Sequence, residues 1–210
     1  MKTSSKKMLR LTVILLSALT VSSLLLAAKV KHMNLLELVS RADKIFSGEV
    51  VNVQESTISV PGGGTIPCTI YTVMIQDRIR GGEAETVTFR YVGSPEMKVR
   101  GKYGYKFEVP GMPRYQRSDE ILLFLNQEST LQLTAPMGLF QGSFRIYADP
   151  KTGRRMVVNG SDNAGLFKNM TAKDLPGVQN LSRAELELLH VNKGPLDYQT
   201  FVDLVRKLAQ

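Results

Sequence analysis

The stretch FEVPGMPRYQRSDEILLFL, residues 107–125, decides the fold. It joins a segment rich in proline, glycine and arginine to a run of five apolar residues, Ile121 to Leu125. Because this run does not alternate between apolar and polar residues, it predicts a strand buried on both faces, such as one that lines a barrel and is covered outside by a helix. The segment before it is predicted to be a loop, in which Pro110 and Pro113 fix φ and Gly111 allows the bend.

Other short β-rich segments lie on both sides of this strand. The predicted strands cover residues 44–53, 69–78, 86–92, 120–126, 132–136, 142–148 and 155–158. Turn residues separate several of them, at 61–64, 81–82 and 149–153, and residues 93–119 are predicted to be one long basic loop.

Helices are predicted at both ends of this β-rich region. Asn34 can cap a short helix with an apolar face, Ser182 and Glu185 form a capping-box pattern, and Asp197 can cap a final amphipathic helix. The sequence therefore predicts a mainly β fold, a small closed or partly open barrel over residues 34–160. Residues 161–210 are predicted to be a helical extension packed on the same domain.

The first 28 residues have the pattern of a secretory signal peptide. Lys2, Lys6, Lys7 and Arg10 precede an apolar run that ends in Ala27 and Ala28. The run is also about as long as the shortest membrane span, so an uncleaved anchor is the alternative. We expect an exported protein that contacts a membrane only through this segment, and only if the segment is not cleaved.

Removing this leader changes the meaning of the net charge. The chain has 27 basic and 19 acidic residues, a net charge of +8. The leader holds four basic and no acidic residues, so residues 29–210 have 23 and 19, a net charge of +4. With export, this argues against nucleic acid as a partner. Cys68 is the single cysteine, so no intramolecular disulfide can form, and we expect it to be a small buried strand residue.

A resemblance to known proteins is carried by a series of short motifs. These are Arg41-Ala-Asp43, Gly48-Glu-Val50, Tyr71-Thr-Val73, Val87-Thr-Phe89, Val109-Pro-Gly-Met-Pro113, Asp119 to Leu125 and Met137 to Arg145. The chain resembles a widespread set of exported bacterial proteins of unknown function. Over about residues 40–126 the strand order is similar to that of the netrin-like OB barrels typified by tissue inhibitors of metalloproteinases. These resemblances imply an OB or netrin-like barrel in the periplasm or outside the cell, or tethered to the inner membrane.

The departure from the metalloproteinase inhibitors limits what can be transferred. Those inhibitors ligate the target's zinc through an N-terminal cysteine held by disulfides, and this chain has no cysteine near its expected mature start. No inhibitory residue is therefore assigned. Regulation of a secreted metalloprotease remains an alternative function.

The sequence contains no recognisable catalytic constellation. His32, expected to be disordered near the mature terminus, and His190, expected at the end of a helix, are the two histidines, and no HExxH or CxxC spacing occurs. Asp119 and Glu120 are adjacent, so on a strand their side chains would point to opposite faces, as at a solvated strand entry. A carboxylate-based hydrolase is the alternative of lowest rank, and we expect no enzyme activity, cofactor or metal.

One segment combines positive charge with aromatic rings. The candidate ligand-binding residues are Lys98, Arg100, Lys102, Tyr103, Tyr105, Lys106, Arg114, Tyr115 and Arg117. Cations and aromatic faces together suit an anionic or ring-bearing ligand. The alternative is that the lysines are only solvated and the aromatic rings pack back onto the barrel. We expect a non-enzymatic binding module that recognises another exported protein or an anionic envelope component. The oligomeric state does not follow from the sequence.

Overall fold

A computed structural model describes the backbone of residues 30–100, 103–175 and 178–210, and their side chains except at 95–100, 103–106, 174 and 178. The predicted leader, residues 1–28, lies outside the described residues. The strands are β1 Lys44–Ser59, β2 Thr65–Arg80, β3 Thr86–Val92, β4 Ser94–Arg100, β5 Tyr103–Phe107, β6 Glu120–Leu125, β7 Ser143–Ala148, β8 Arg155–Asn159 and β9 Leu196–Asp197. The described residues also form three short α-helices, α1 Leu35–Arg41, α2 Arg183–Leu188 and α3 Tyr198–Leu208. Residues His32–Gln210 form one compact unit.

Seven strands form one antiparallel sheet in the order β3-β2-β1-β6-β7-β8-β9, and β4 pairs with β5 in a separate hairpin. The prediction of a mainly β fold is confirmed. Among the described residues no ladder joins β3 to β9, so the sheet is open. One backbone hydrogen bond, from Thr134 N–H to the Arg90 carbonyl, links the chain after β6 to the outer edge of β3.

The strand β6 is buried on both faces, as its unbroken apolar run predicts. Leu122 and Phe124 face one core, whereas Ile121, Leu123 and Leu125 face the other. All five side chains are at most 2% exposed. The strand therefore forms a wall that two cores share.

The two cores differ in what covers them. One face of the sheet, here called the helix-covered face, packs against α1 and α3 through mainly aliphatic residues and a few aromatic ones, including Phe144 and Phe201. The opposite face, here called the loop-covered face, contains a cluster of aromatic rings from β2 and β3 and from the loop before β6. The sheet thus separates a core closed by helices from a core closed by a loop.

Capping side chains define where the helices begin. Asn34 accepts the Glu37 N–H while the Glu37 carboxylate accepts the Asn34 N–H, and Ser182 and Glu185 form the same box at α2. Asp197 accepts the Thr200 N–H at the start of α3. The three predicted helix starts are confirmed. None of the helices in the described part of the chain combines the length and apolar character needed to cross a membrane.

Two local predictions are wrong. Residues 93–119 are not one long loop, because β4 and β5 form a hairpin within them before a loop leads to β6. Residues 132–136 do not form a strand, although Pro136 makes a single bridge to Leu125. Strands β1 and β2 are also longer than predicted, with 16 residues each.

Gly48 lies where β1 bends between β2 and β6. The register of β1 against β2 shifts between Ser47 and Gly48. A Cβ at Gly48 would overlap the Met74 carbonyl oxygen and lie 2.8 Å from Val73 Cγ1. Only glycine lets the two backbones approach this closely.

Candidate functional site

The loop-covered face is closed by residues 108–119, here called the covering loop. Its anchor is Tyr115, which is 7% exposed and packs edge-on against Tyr71, with ring centroids 5.1 Å apart. Backbone hydrogen bonds join Val50 on β1 to Ser118 and Asp119, and the Tyr91 hydroxyl donates to the Pro113 carbonyl. The loop is therefore fixed to the sheet at several points along its length.

The structure assigns different environments to the three candidate residues of this loop. Arg114 and Arg117 are exposed, and Arg114 forms an ion pair with Glu108 at 2.6 Å. Tyr115 is a core residue, so its ring faces are not open to a ligand. For this residue the alternative interpretation, that the aromatic ring packs back onto the sheet, is confirmed. Its hydroxyl is nevertheless at a surface groove, described below.

Of the remaining six candidates, all except Lys102 lie on strands β4 and β5. Lys102 and the side chains of Lys98, Arg100, Tyr103, Tyr105 and Lys106 lie outside the described residues. The backbone register places Lys98 opposite Tyr105 and Arg100 opposite Tyr103. Cations and aromatic residues are therefore cross-strand partners along this hairpin.

A groove of about 470 Å³ lies between the covering loop and strands β6, β7 and β8, here called the arginine groove. Its lining includes the apolar residues Ile121, Phe140 and Val158 and the basic residues Arg114 and Arg145. The volume is in the range of pockets that hold small ligands, which combine apolar walls with a few polar groups.

Arg145 is a polar residue of this groove that the sequence analysis missed. It is exposed, its register partners are the apolar residues Ile121 and Val158, and no partner for its guanidinium is found among the described residues. Arg155 on the next strand differs, because it bonds Glu120 at 2.7 Å and lies 4.3 Å from the centre of the Tyr198 ring. The signal in the sequence was the alternation of β7, in which Phe144 and Ile146 face the helices and Arg145 faces the other way.

Two hydroxyl groups belong to residues that line the groove. The Tyr115 hydroxyl and Ser143 Oγ lie 2.7 Å apart, and both residues are 7% exposed. Each hydroxyl carries one hydrogen and their mutual bond uses one of them, so one hydrogen stays available to an acceptor in the groove. Burial raises the pKa of Tyr115 well above its usual range, so the phenol stays protonated.

Asp119 also lines the groove, but it is already engaged. Its carboxylate accepts the Gln116 N–H at 2.7 Å and makes no ion pair with Arg114 or Arg145 in the described part of the chain. Glu120 lines an adjoining cleft with Asp119, where it is bound by Arg155. Each of the two adjacent carboxylates therefore has its own local partner.

No cluster of three or more histidine, cysteine or acidic residues suited to a metal ion occurs among the described residues. Cys68 is buried in β2, as expected, and burial raises the pKa of its thiol. The expectation that His32 is disordered is wrong, because its imidazole lies against Gly165.

Comparison with known proteins identifies no relative from which a function could be transferred. The chain matches no protein-family model, and a search of curated proteins finds no significant match.

Proposed function

We propose that the protein is an exported module that acts by binding, without catalysis, and that it recognises an acidic exported protein or an anionic envelope component. The observation that carries the proposal is the fixed presentation of Arg114 and Arg117 on either side of a buried residue. Tyr115 anchors the covering loop in the core, so the backbone that carries these two cations needs little ordering when a partner binds.

The hairpin next to the covering loop extends this binding surface in the proposal. Phe107 ends β5 and is 40% exposed, so the hairpin leads directly into the loop that carries Arg114. Between residues 98 and 117 six basic residues face one acidic residue in the sequence, a local net charge of +5. Such a patch favours association with anionic partners and makes it dependent on salt.

We further propose that the fold is a divergent, partly open OB or netrin-like barrel. Strands β3, β2, β1 and β6 enclose the aromatic core, and residues 134–136 connect β6 back towards β3. The Leu125–Pro136 bridge and the Thr134–Arg90 hydrogen bond support this reading. Export is proposed from the leader pattern alone.

The binding role can be tested with a double charge reversal, Arg114→Glu with Arg117→Glu. The matched control is Arg183→Glu with Lys193→Glu, which changes the net charge equally at two other exposed positions. Binding to poly-glutamate is measured by calorimetry, and binding to phosphatidylglycerol vesicles is measured by co-sedimentation, both at two salt concentrations. Phosphatidylcholine vesicles are the neutral comparison.

We expect the wild-type protein to bind at least one anionic probe, the loop variant to bind about tenfold or more weakly, and the control to bind like wild type. Equal weakening in both variants would show only a general charge effect and contradict the proposal. So would a wild-type protein that binds neither anionic probe. Far-UV circular dichroism establishes that each variant is folded.

A further inference from the structure

We infer that the arginine groove binds a small organic anion, with a carboxylate or phosphate at one end of an apolar body. This inference rests on the proposed binding role but depends mainly on Arg145, which is outside the covering loop. The two proposals can therefore fail separately.

The anionic end follows from the donors that meet in the groove. Arg145 presents a guanidinium group without a partner among the described residues. Arg114 also lines the groove, where its guanidinium is ion-paired with Glu108 at 2.6 Å, so a ligand would share this group with the Glu108 carboxylate. The Tyr115–Ser143 pair adds a hydroxyl hydrogen that its own bond does not use. Three donors around one space select an acceptor with several oxygens, and a guanidinium binds carboxylate or phosphate through two parallel hydrogen bonds.

The apolar body follows from the walls next to these donors. Arg145 lies between Ile121 and Val158 across the strands, and Phe140 and Met112 also line the groove. An inorganic ion would leave these walls in contact with water. A ligand that places its charge at Arg145 and an alkyl or ring body along the walls would use both kinds of surface.

The comparison with other strand-borne arginines supports assigning Arg145 to a ligand. Arg78 and Arg80 on β2 donate to backbone carbonyls, and Arg90 on β3 donates to Gln132. Arg155 is held by Glu120. Each of these guanidinium groups has a partner within the protein, whereas Arg145 lines a groove and has no partner among the described residues.

The test uses three probes with the same body, namely decanoate, decyl phosphate and decanol. The protein has seven tyrosines and no tryptophan, so tyrosine fluorescence detects binding without a tryptophan signal, and calorimetry gives the affinity. The variant is Arg145→Gln, with Arg145→Lys as the charge-conserving change. Arg183→Gln is the control, because Arg183 is exposed and does not line the groove.

We expect decanoate or decyl phosphate to bind the wild-type protein at least tenfold more tightly than decanol does. Arg145→Gln should weaken binding of the anionic probe about tenfold to a hundredfold, Arg145→Lys less, and Arg183→Gln not at all. Preference for decyl phosphate would indicate a phosphate headgroup, and preference for decanoate would indicate a carboxylic acid. Both agree with the inference.

Equal binding of all three probes would overturn the inference, because the groove would then select only for apolar surface. If neither decanoate nor decyl phosphate binds the wild-type protein, the inference is wrong whatever the variants show. If the loop reversal abolishes poly-glutamate or vesicle binding while Arg145→Gln leaves decanoate binding unchanged, the proposed function stands and the groove assignment is wrong.

Discussion

The two faces of the sheet solve the same burial problem in different ways. The helix-covered face is closed by α1 and α3, whose apolar side chains seal the core. The loop-covered face is closed by a single loop over a tyrosine-rich cluster, with a groove beside it. Helices cover the core on the first face, whereas the second face has polar residues such as Ser143 and Arg145 in a groove at the surface.

A pair of hydroxyl contacts makes the difference concrete. On the helix-covered face Ser47 Oγ lies 2.6 Å from the Tyr198 hydroxyl, and α3 begins at Tyr198. On the loop-covered face Ser143 Oγ lies 2.7 Å from the Tyr115 hydroxyl, at the lining of the groove. The same chemistry therefore serves packing on one face and is available to a ligand on the other.

The largest expected effect comes from removing one aromatic ring from each face. Phe144→Ala should lower the free energy of unfolding by about 3–5 kcal/mol, because the ring is fully buried between the sheet and α3. Phe89→Ala should lower the free energy of unfolding by about 3 kcal/mol, because a loop can relax into the cavity more easily than a helix can. Urea denaturation measures both, and a larger loss for Phe89→Ala would contradict the comparison.

Alkaline pH should act more strongly on the loop-covered face than on the helix-covered face. Burial raises the pKa values of Tyr91 and Tyr115 well above the usual phenol value, and on the helix-covered face it raises the pKa of Tyr198. Above pH of about 10 the unfolded chain releases the protons of Tyr91 and Tyr115 while the folded protein keeps them, so the contribution of these two tyrosines to stability is complete below that pH and falls above it. Each tyrosine should contribute a loss of about 1.4 kcal/mol per pH unit.

Thermal unfolding between pH 8 and 11.5 tests this expectation. Tyr91→Phe and Tyr115→Phe should each flatten the alkaline decline. Tyr147→Phe is the control, because Tyr147 is partly exposed. An identical decline in the protein that carries both changes would show that other groups control the alkaline transition.

A smaller loss of stability is expected from a change at Gly48, where β1 lies close to β2. Gly48→Ala should lower the free energy of unfolding by about 1–3 kcal/mol, because the new methyl group overlaps the backbone of β2. Val53→Ala, at an exposed position of the same strand, should change it by no more than about 0.5 kcal/mol. Calorimetry measures both, and an unchanged Gly48→Ala protein would show that β1 and β2 can separate at low cost.

The finest test compares the two tyrosine hydroxyls directly. Tyr198→Phe and Tyr115→Phe each remove one buried hydrogen bond, so each should lower stability by about 1 kcal/mol. Only Tyr115→Phe should also change binding of decanoate, measured by calorimetry. An equal effect of both changes on binding would mean that the groove hydroxyl has no special role.

The sequence predicts the framework well because local signals and burial agree there. The unbroken run Ile121–Leu125 predicts burial on both faces, and Asn34, Ser182 and Asp197 predict where three helices begin. Strands of the central sheet also carry β-branched and aromatic residues in the expected positions.

The candidate functional site was harder to predict because it depends on which residues are neighbours in space. Arg145 looks like an ordinary exposed strand residue until the register shows Ile121 and Val158 beside it. Tyr115 looks like a ligand-stacking residue in the sequence, yet the contact with Tyr71 places it in the core. The β4–β5 hairpin was missed because its glycines and basic residues are typical of a loop.

The double burial of β6 has a consequence for how the protein fluctuates. Because the strand is screened from water on both sides, the amide hydrogens at its centre should exchange with solvent only when the whole domain opens. Neither core can then melt while the other stays intact, and the domain behaves as one cooperative unit. Damage to the helix-covered face would consequently lower the population of groove-competent molecules, although the damaged residue lies on the opposite side of the sheet.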